Sequence, residues 1–194
     1  MTQLWHRLAL TLEPWYDEIG ETIKKSGVMH ADETGWRING KPCRLWAFAT
    51  QKATYFVIDR SRAGRVVLRF FKKAFAGILV TDFWGAYNAI VCAGKQKCLA
   101  HLLGDLKKVA KYKDKSGDWP TFAKLLKRVL RDAMRLRGKR SSLATPDYER
   151  LCAHIERRLT RLIESPWKNT EAQRLIKRLR RHRDELFVFF FLLY

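Results

Sequence analysis

The sequence is poor in acidic residues and has no long hydrophobic run. Aspartate and glutamate number 19 against 39 lysines and arginines, which gives a formal net charge of +20 at pH 7. The longest unbroken apolar stretch runs from Leu186 through the terminal FVFFFLLY and falls well short of the roughly 20 residues that span a bilayer. We therefore expect no membrane protein. The surplus of positive charge makes DNA or RNA the leading partner, with an anionic membrane surface second.

Cysteine is scarce, and no signal peptide is recognisable. The start, MTQLWHRLALTLEP, is interrupted by charge and proline and lacks a cleavage-site pattern. We therefore expect a cytoplasmic protein whose four thiols are free. Cys98 and His101 form a CxxH pair that, together with Cys92, raises the alternative of a zinc site. A tetrahedral site needs four ligands, and the sequence shows no second pair nearby.

The remaining composition is that of a folded protein. Apolar residues make up 47% and aromatic residues 12% of the 194, which is too rich for a disordered chain. The length suits one domain, or a domain with a large insertion. We divide it into a helical lead-in (1–27), a mixed α/β core (28–112) and a basic helical region (113–194).

The first third of the sequence changes from a helical to a strand period. Apolar residues three and four apart predict an amphipathic helix over residues 4–25. Asn39-Gly40 is a typical hairpin turn. Runs rich in β-branched and aromatic residues on both sides of it predict a meander of three strands, VMHADETGWRI, CRLWAFAT and ATYFVID.

Helices and strands then alternate. A basic helix is predicted over 61–76, before ILVTD, an unalternating apolar run typical of a strand buried on both faces and parallel to the first. A short helix over 84–91, the strand KQKCLAH and a helix over 102–112 follow. The predicted order is βββαβαβα, a mixed sheet.

Beyond Gly117 the pattern is purely helical. Two apolar stripes predict two amphipathic helices, and a third helix, dense in arginine and lysine, is predicted from Thr170 to Leu186. Its basic side chains would bind DNA phosphates, the alternative being an ordinary solvated face. The terminal FVFFFLLY is expected to be an exposed helix end without a packing partner, or out-of-frame residues. The predicted DNA-binding residues are Arg174, Lys177, Arg178 and Arg181, and a second basic cluster comprises Arg60, Arg62, Arg65, Arg69, Lys72 and Lys73.

Two aspartates carry the strongest chemical signal. Asp32 lies in the first predicted strand and Asp82 at the end of the fourth, and parallel neighbouring strands would bring the two carboxylates together. Two carboxylates on adjacent strands can hold Mg²⁺, which takes its remaining ligands from water and phosphate. The alternative is structural: Asp32 as a strand-end residue with Glu33 as its solvated neighbour, and Asp82 as a helix cap.

At these residues the sequence resembles bacterial insertion-sequence transposases with a DDE catalytic triad, specifically the insertion sequence sixty-six family. The stretches that carry the resemblance are HADETGWRINGKPCRLWAF, LVTDFWGAYN, CLAHLLGDLKK and AQRLIKRLRRHRDELF. The resemblance implies a ribonuclease-H-like mixed sheet, with an all-helical basic insertion on its C-terminal side. It also implies catalysis by Asp32 and Asp82 with Mg²⁺, for which Mn²⁺ can substitute.

The same resemblance implies partners and supporting residues. The partners would be DNA, as transposon ends and target, and other copies of this chain or of a complete transposase, at the nucleoid in the cytoplasm. Cys98 and His101 would pack behind the metal ligands beside Asp82.

Trp36, Trp46 and Trp84 are expected in the core in preference to stacking on a flipped base, because aromatic residues next to strands usually pack there.

The sequence departs from the family pattern at both ends. The third acid, a glutamate in a stretch resembling NNxAE, is not reached, and only about thirty residues precede Asp32, so both ends look cut. Gly104 replaces a basic residue. Glu171 and Asp105 are weighed as substitutes for the missing glutamate, but neither corresponds to it. The rival functions are a non-catalytic DNA-binding remnant and a ribonuclease-H-like metal nuclease that cleaves without strand transfer.

Overall fold

The computed structural model of the chain describes residues 2–72, 74–113 and 116–192, with the side chain of Tyr112 left aside. Lys73 of the predicted basic helix, and the last two residues of FVFFFLLY, lie outside this part. The fold is mixed α/β, with six α-helices and a five-stranded mixed sheet among the described residues. By packing, the chain forms two compact units, residues 1–96 and 97–194. The domain boundaries predicted at residues 27 and 112 stay predictions.

The predicted meander is present in the first unit. The first two strands are antiparallel and joined at Asn39 and Gly40, whose positive φ values of 49° and 75° suit a two-residue hairpin turn. The fourth strand pairs in parallel with the first, as its unbroken apolar run predicts. The strands are β1 Val28–Ile38, β2 Lys41–Ala49, β3 Thr54–Asp59, β4 Ala74–Thr81 and β5 Val91–Lys97. In spatial order the sheet is β3-β2-β1-β4-β5.

The basic helix predicted over 61–76 is wrong in length. Helix α2 covers only Arg65–Phe71, after α1 at Thr2–Lys24. The turn before α2 is held by side chains: Asp59 Oδ1 accepts the Ser61 N–H (2.7 Å), and Ser61 Oγ accepts the Ala63 N–H (3.0 Å). Lys72 ends the helix in the left-handed region, with φ of 52°. β4 then begins at Ala74, four residues before the predicted run ILVTD.

The elements after Asp82 are also shifted. Only a 3₁₀ turn, Gly85–Tyr87, replaces the predicted helix over 84–91, and β5 starts four residues before the predicted strand KQKCLAH. Helix α3, Leu99–Tyr112, correspondingly starts three residues early. Hydrophobic periodicity misplaced these boundaries because β5 ends on a buried lysine. Lys97 is 1% exposed and forms an ion pair with Glu185 at 3.4 Å.

The second unit is a helical array whose stripes match the sequence. The apolar residues predicted to share a stripe are buried on helix α4, at Trp119–Gly138. Those predicted on helix α5, at Thr145–Glu164, are also buried apart from Leu151. The helix predicted from Thr170 to Leu186 ends earlier and continues as 3₁₀ turns at Arg183–Glu185 and Val188–Phe191. Within the described residues, no helix is long and apolar enough to cross a membrane. The last three helices are α4 Trp119–Gly138, α5 Thr145–Glu164 and α6 Thr170–Arg181.

The expectation of an exposed, unpartnered FVFFFLLY is wrong. Phe187 and Phe190 are 3% and 1% exposed. The Tyr148 hydroxyl donates to the Phe190 carbonyl (3.1 Å), and Arg137 Nη2 donates to the Leu192 carbonyl (2.7 Å). Residues 187–192 therefore close the core of the second unit.

The loop that leads into α6 is attached to the start of α4 by one carboxylate. Asp118 accepts hydrogen bonds from the backbone N–H groups of Lys168 (2.6 Å) and Asn169 (3.0 Å). The Lys168 bond is the main cause that lowers the pKa of Asp118. A carboxyl whose pKa is lower in the folded than in the unfolded chain stabilises the fold once it is ionised.

Asp118→Asn is therefore expected to destabilise the protein at pH 7 and to lose this effect in acid. The contribution of the wild-type carboxylate is complete above its unfolded pKa of about 4, and it disappears as the pH falls through the lower folded value. The measurement is urea denaturation at pH 7 and at acid pH, with the exposed Asp147→Asn as control. A difference between Asp118→Asn and wild type that stays constant with pH would contradict this role.

Candidate functional site

The backbones of Asp32 and Asp82 lie at neighbouring positions in the first unit. Asp32 lies in β1, and Asp82 directly follows β4. The parallel register pairs Ala31 with Thr81, which immediately precede the two aspartates. Since paired strands lie about 4.8 Å apart, the register brings the two backbones together at the point where β4 ends. Their chemical role stays a prediction.

Backbone hydrogen bonds orient both carboxylates. The Glu33 N–H donates to Asp32 Oδ1 (2.9 Å), and the Trp84 N–H donates to Asp82 Oδ1 (2.8 Å). The Thr81 hydroxyl donates to the Asp82 carbonyl (2.9 Å), which further fixes the turn after β4. One carboxylate oxygen of each aspartate thus accepts a hydrogen bond from a backbone N–H one or two residues further along the chain.

Glu33 is not the solvated neighbour that the structural alternative assumed. Its side chain is 2% exposed, and its Oε1 atom lies 2.7 Å from Arg62 Nη2. Arg62 Nε donates to the same oxygen at 2.7 Å, and the Tyr87 hydroxyl donates to Oε2 at 3.3 Å. The alternation of β1 could have predicted that Glu33 is buried. Alternate residues of a strand face the same side, and Met29, Ala31 and Glu33 alternate along β1 with the first two in the core.

Arg62 and Trp84 connect Glu33 to the turn that carries Asp82. The Arg62 guanidinium carbon lies 4.1 Å from the Trp84 ring centroid, and the Trp84 indole N–H donates to the Arg62 carbonyl at 3.3 Å. Trp84 is 41% exposed and Trp36 is 50% exposed, so the prediction of a core position was wrong for both. It is confirmed for Trp46, which is fully buried.

The electrostatics of Tyr87 show that the acids share one environment. Burial is the main cause that raises the pKa of Tyr87, and the negative charges of Glu33, Asp82 and Asp32 raise it further. The hydroxyl therefore remains protonated and available to donate to Glu33. Three carboxylates thus lie in this corner of the first unit, and that of Glu33 is paired with Arg62.

The donor chemistry of Asp32 and Asp82 fits a hard divalent cation. Carboxylate oxygens are the ligands that Mg²⁺ takes from proteins, usually one or two with water and phosphate completing the shell. Across the described residues, no group of three or more His, Cys, Asp and Glu side chains is placed to hold a metal ion. Asp32 and Asp82 therefore stay a predicted pair of metal ligands.

Cys98 and His101 lie in the second unit. Cys98 is the extended residue before α3, and His101 is in its first turn. The four cysteines are free thiols, and in the described part of the chain they belong to no metal-ligand group of three. The supporting role predicted for Cys98 and His101 stays a prediction.

The basic face predicted on α6 divides into exposed and engaged residues. Arg174, Lys177 and Arg181 are exposed. Arg178 instead donates through Nη2 to Asp105 Oδ2 at 2.6 Å, so its charge is held by the α3 carboxylate.

The two acids weighed as substitutes for a third ligand are engaged within the second unit. Asp105 forms the ion pair with Arg178 and a longer one with Lys108 at 3.7 Å. Glu171 lies in the first turn of α6, where its N–H donates to Asn169 Oδ1 (2.9 Å) and its carboxylate lies 3.9 Å from Arg174.

Comparison with known proteins identifies a family. A family model described as "Transposase IS66 family" matches residues 1–191. No curated protein and no solved structure matches the chain. The matched region includes both aspartates, the Glu33–Arg62–Trp84 contacts and the basic face of α6.

Proposed function

The chain belongs to the IS66 family of transposases, and we propose that it performs metal-dependent DNA cleavage and strand transfer at transposon ends through Asp32 and Asp82. The observation that supports the proposal is the parallel register of β1 and β4, which pairs Ala31 with Thr81, the residues that immediately precede the two aspartates. Two oriented carboxylates can supply part of the ligand set that phosphoryl transfer with a divalent cation requires of the protein.

The sheet supports a ribonuclease-H-like assignment within this proposal. Three antiparallel strands followed by a fourth that returns parallel to the first give the order β3-β2-β1-β4-β5. In this topology the residue after β4 lies next to the middle of β1, the central strand. The topology explains why acids fifty positions apart in the sequence can act together.

Each residue of the site has a distinct part in the proposed reaction. Asp32 and Asp82 would hold Mg²⁺, or Mn²⁺ in its place, which when bound supplies positive charge to a scissile phosphate and lowers the pKa of a bound hydroxyl or water. Glu33, ion-paired to Arg62, keeps that guanidinium on Trp84 and keeps the Trp84 backbone N–H directed at Asp82. Arg62 remains 43% exposed and can meet a DNA phosphate.

We expect this activity to be weak in the chain alone. Among the described residues, no third acid joins Asp32 and Asp82 into a metal-binding group. The same observation favours the second candidate, a DNA-binding family member that occupies transposon ends without cutting them. Both candidates act on DNA at the nucleoid, together with other copies of the chain or of a complete transposase.

The test of catalysis is nicking of supercoiled DNA by the purified chain. We expect slow nicking with Mg²⁺ or Mn²⁺ that stops on addition of EDTA. Equally fast nicking with EDTA would contradict the proposal. Tight DNA binding without any metal-dependent nicking would select the second candidate.

DNA binding is expected to depend steeply on salt, with α6 contributing. If Lys177 neutralises one phosphate, Lys177→Ala should reduce the slope of log affinity against log salt by about 0.9. Arg150→Ala is the matched control, since Arg150 is equally charged, 75% exposed and on a different helix. The measurement is fluorescence anisotropy over a salt series. An unchanged slope for Lys177→Ala, or an equal loss for both variants, would remove α6 from the DNA surface.

A further inference from the structure

Helix α1 carries an exposed apolar stripe with coiled-coil spacing. Its members recur at intervals of three, four, three and four residues, the a and d positions of a heptad repeat. All are large and apolar, and each is 40–68% exposed. The stripe consists of Trp5, Leu8, Leu12, Trp15 and Ile19.

A different stripe of α1 holds the helix on the first unit. Tyr16 stacks on Tyr55 with ring centroids 4.2 Å apart, and its hydroxyl donates to the Phe56 carbonyl at 2.7 Å. Gly20 and Ile23 are the buried residues of the helix. These contacts hold α1 on the first unit and use none of the residues of the heptad stripe. Packing of α1 therefore does not explain why the stripe is apolar.

We propose that the exposed stripe is a self-association surface on which α1 of a second copy packs antiparallel. A heptad stripe without charge is what a partner helix recognises, and about 15 residues give a seam roughly 22 Å long. A contiguous apolar surface of this kind is uncommon on a monomer in water.

Charge along α1 selects the second copy and its direction. Arg7 lies near the N-terminal end of the stripe and Glu18 near its C-terminal end, and heptad spacing puts both on the same flank of the stripe. Antiparallel pairing puts Arg7 of each copy beside Glu18 of the other, and a two-fold axis repeats the contact. Parallel pairing would instead place the two Glu18 side chains beside each other.

The test is the mass of the full chain in solution at roughly 50 µM, where a specific helical interface is populated. Wild type should be a dimer by light scattering. Leu12→Glu, at the centre of the stripe, should weaken dimerisation by about a hundredfold, because it places two charges in the seam. Leu10→Glu is the matched control: Leu10 is 69% exposed on the same helix but off the stripe, and its variant should remain a dimer.

Charge reversal tests the direction and does not depend on the apolar residues. Arg7→Glu and Glu18→Arg should each weaken the dimer, and the double variant should restore it. A wild-type monomer, as when a further segment or another protein covers the stripe, would overturn the proposal, and so would a dimer insensitive to Leu12→Glu. A dimer strengthened by Glu18→Arg alone would overturn the antiparallel arrangement. None of these outcomes depends on the metal site, so the proposed catalytic function is tested separately.

Discussion

Replacing Phe190 by alanine is expected to lower the free energy of unfolding of the second unit by about 3–5 kcal/mol. Phe190 is 1% exposed, and its ring lies 5.2 Å from that of Phe187 and 6.3 Å from that of Tyr148. Alanine would leave a cavity between these rings in a core that cannot close around it. The hydrogen bond from Tyr148 to the Phe190 carbonyl would lose its packed surroundings as well.

The adjacent phenylalanine is the control for this prediction. Phe191 is 65% exposed, so Phe191→Ala should change the free energy of unfolding by no more than about 0.5 kcal/mol. Chemical denaturation followed by circular dichroism measures both variants. Equal effects of the two substitutions would show that residues 187–192 do not close the core as described. Burial raises the pKa of Tyr148 to about 12, and that hydroxyl should titrate more easily in Phe190→Ala.

The sequence predicted best where one local signal decides the structure. The Asn39-Gly40 turn is such a case, because both residues tolerate the positive φ that a short hairpin needs. The unbroken apolar run before Asp82 is another, since a strand buried on both faces has no polar side to show. These two signals are sufficient to place β1, β2 and β4, and with them the backbones of Asp32 and Asp82.

Errors arose where a distant residue determines the local structure. Lys97 is buried because Glu185 pairs with it, and periodicity reads a lysine as exposed. Phe190 is buried because Tyr148 and its neighbours cover it, which a terminal run of phenylalanines does not reveal. Arg178 pairs with Asp105, which lies seventy-three residues earlier, and helical periodicity does not reveal this contact; its role in binding DNA stays a prediction.

The candidate site was predictable in part for the same reason. The aspartates follow from strand order, whereas the Glu33–Arg62 ion pair depends on the turn after β3, which was predicted as helix. Trp84 was predicted in the core because aromatic residues beside strands usually pack there. In the structure its face is taken by Arg62 at 4.1 Å, so the ring stays at the surface.

Asp32→Asn and Asp82→Asn should each reduce the affinity for Mn²⁺ by at least about a hundredfold. Loss of a residue that only supports a ligand commonly costs ten- to a hundredfold, and a ligand itself should cost no less. Asparagine keeps the shape and an oxygen that can accept the Glu33 or Trp84 N–H. The loss would therefore report the missing charge and ligand oxygen and not a disturbed turn.

The double variant Asp32→Asn/Asp82→Asn should bind Mn²⁺ little worse than either single variant. Two ligands of one ion act as a unit, so the effects of their removal do not add. Asp147→Asn is the control for non-specific loss of negative charge, because Asp147 is exposed and forms its ion pair with Arg150 on the same helix. The affinity of Asp147→Asn for Mn²⁺ should equal that of wild type.

Titration of the purified chain with Mn²⁺, followed by electron paramagnetic resonance of the free ion, tests the central claim most directly. The two-aspartate site predicts saturable binding in wild type and in Asp147→Asn, and its loss in Asp32→Asn, Asp82→Asn and the double variant. Saturable binding of equal affinity in wild type and in the double variant would show that the metal is held elsewhere, and would contradict the assignment of Asp32 and Asp82.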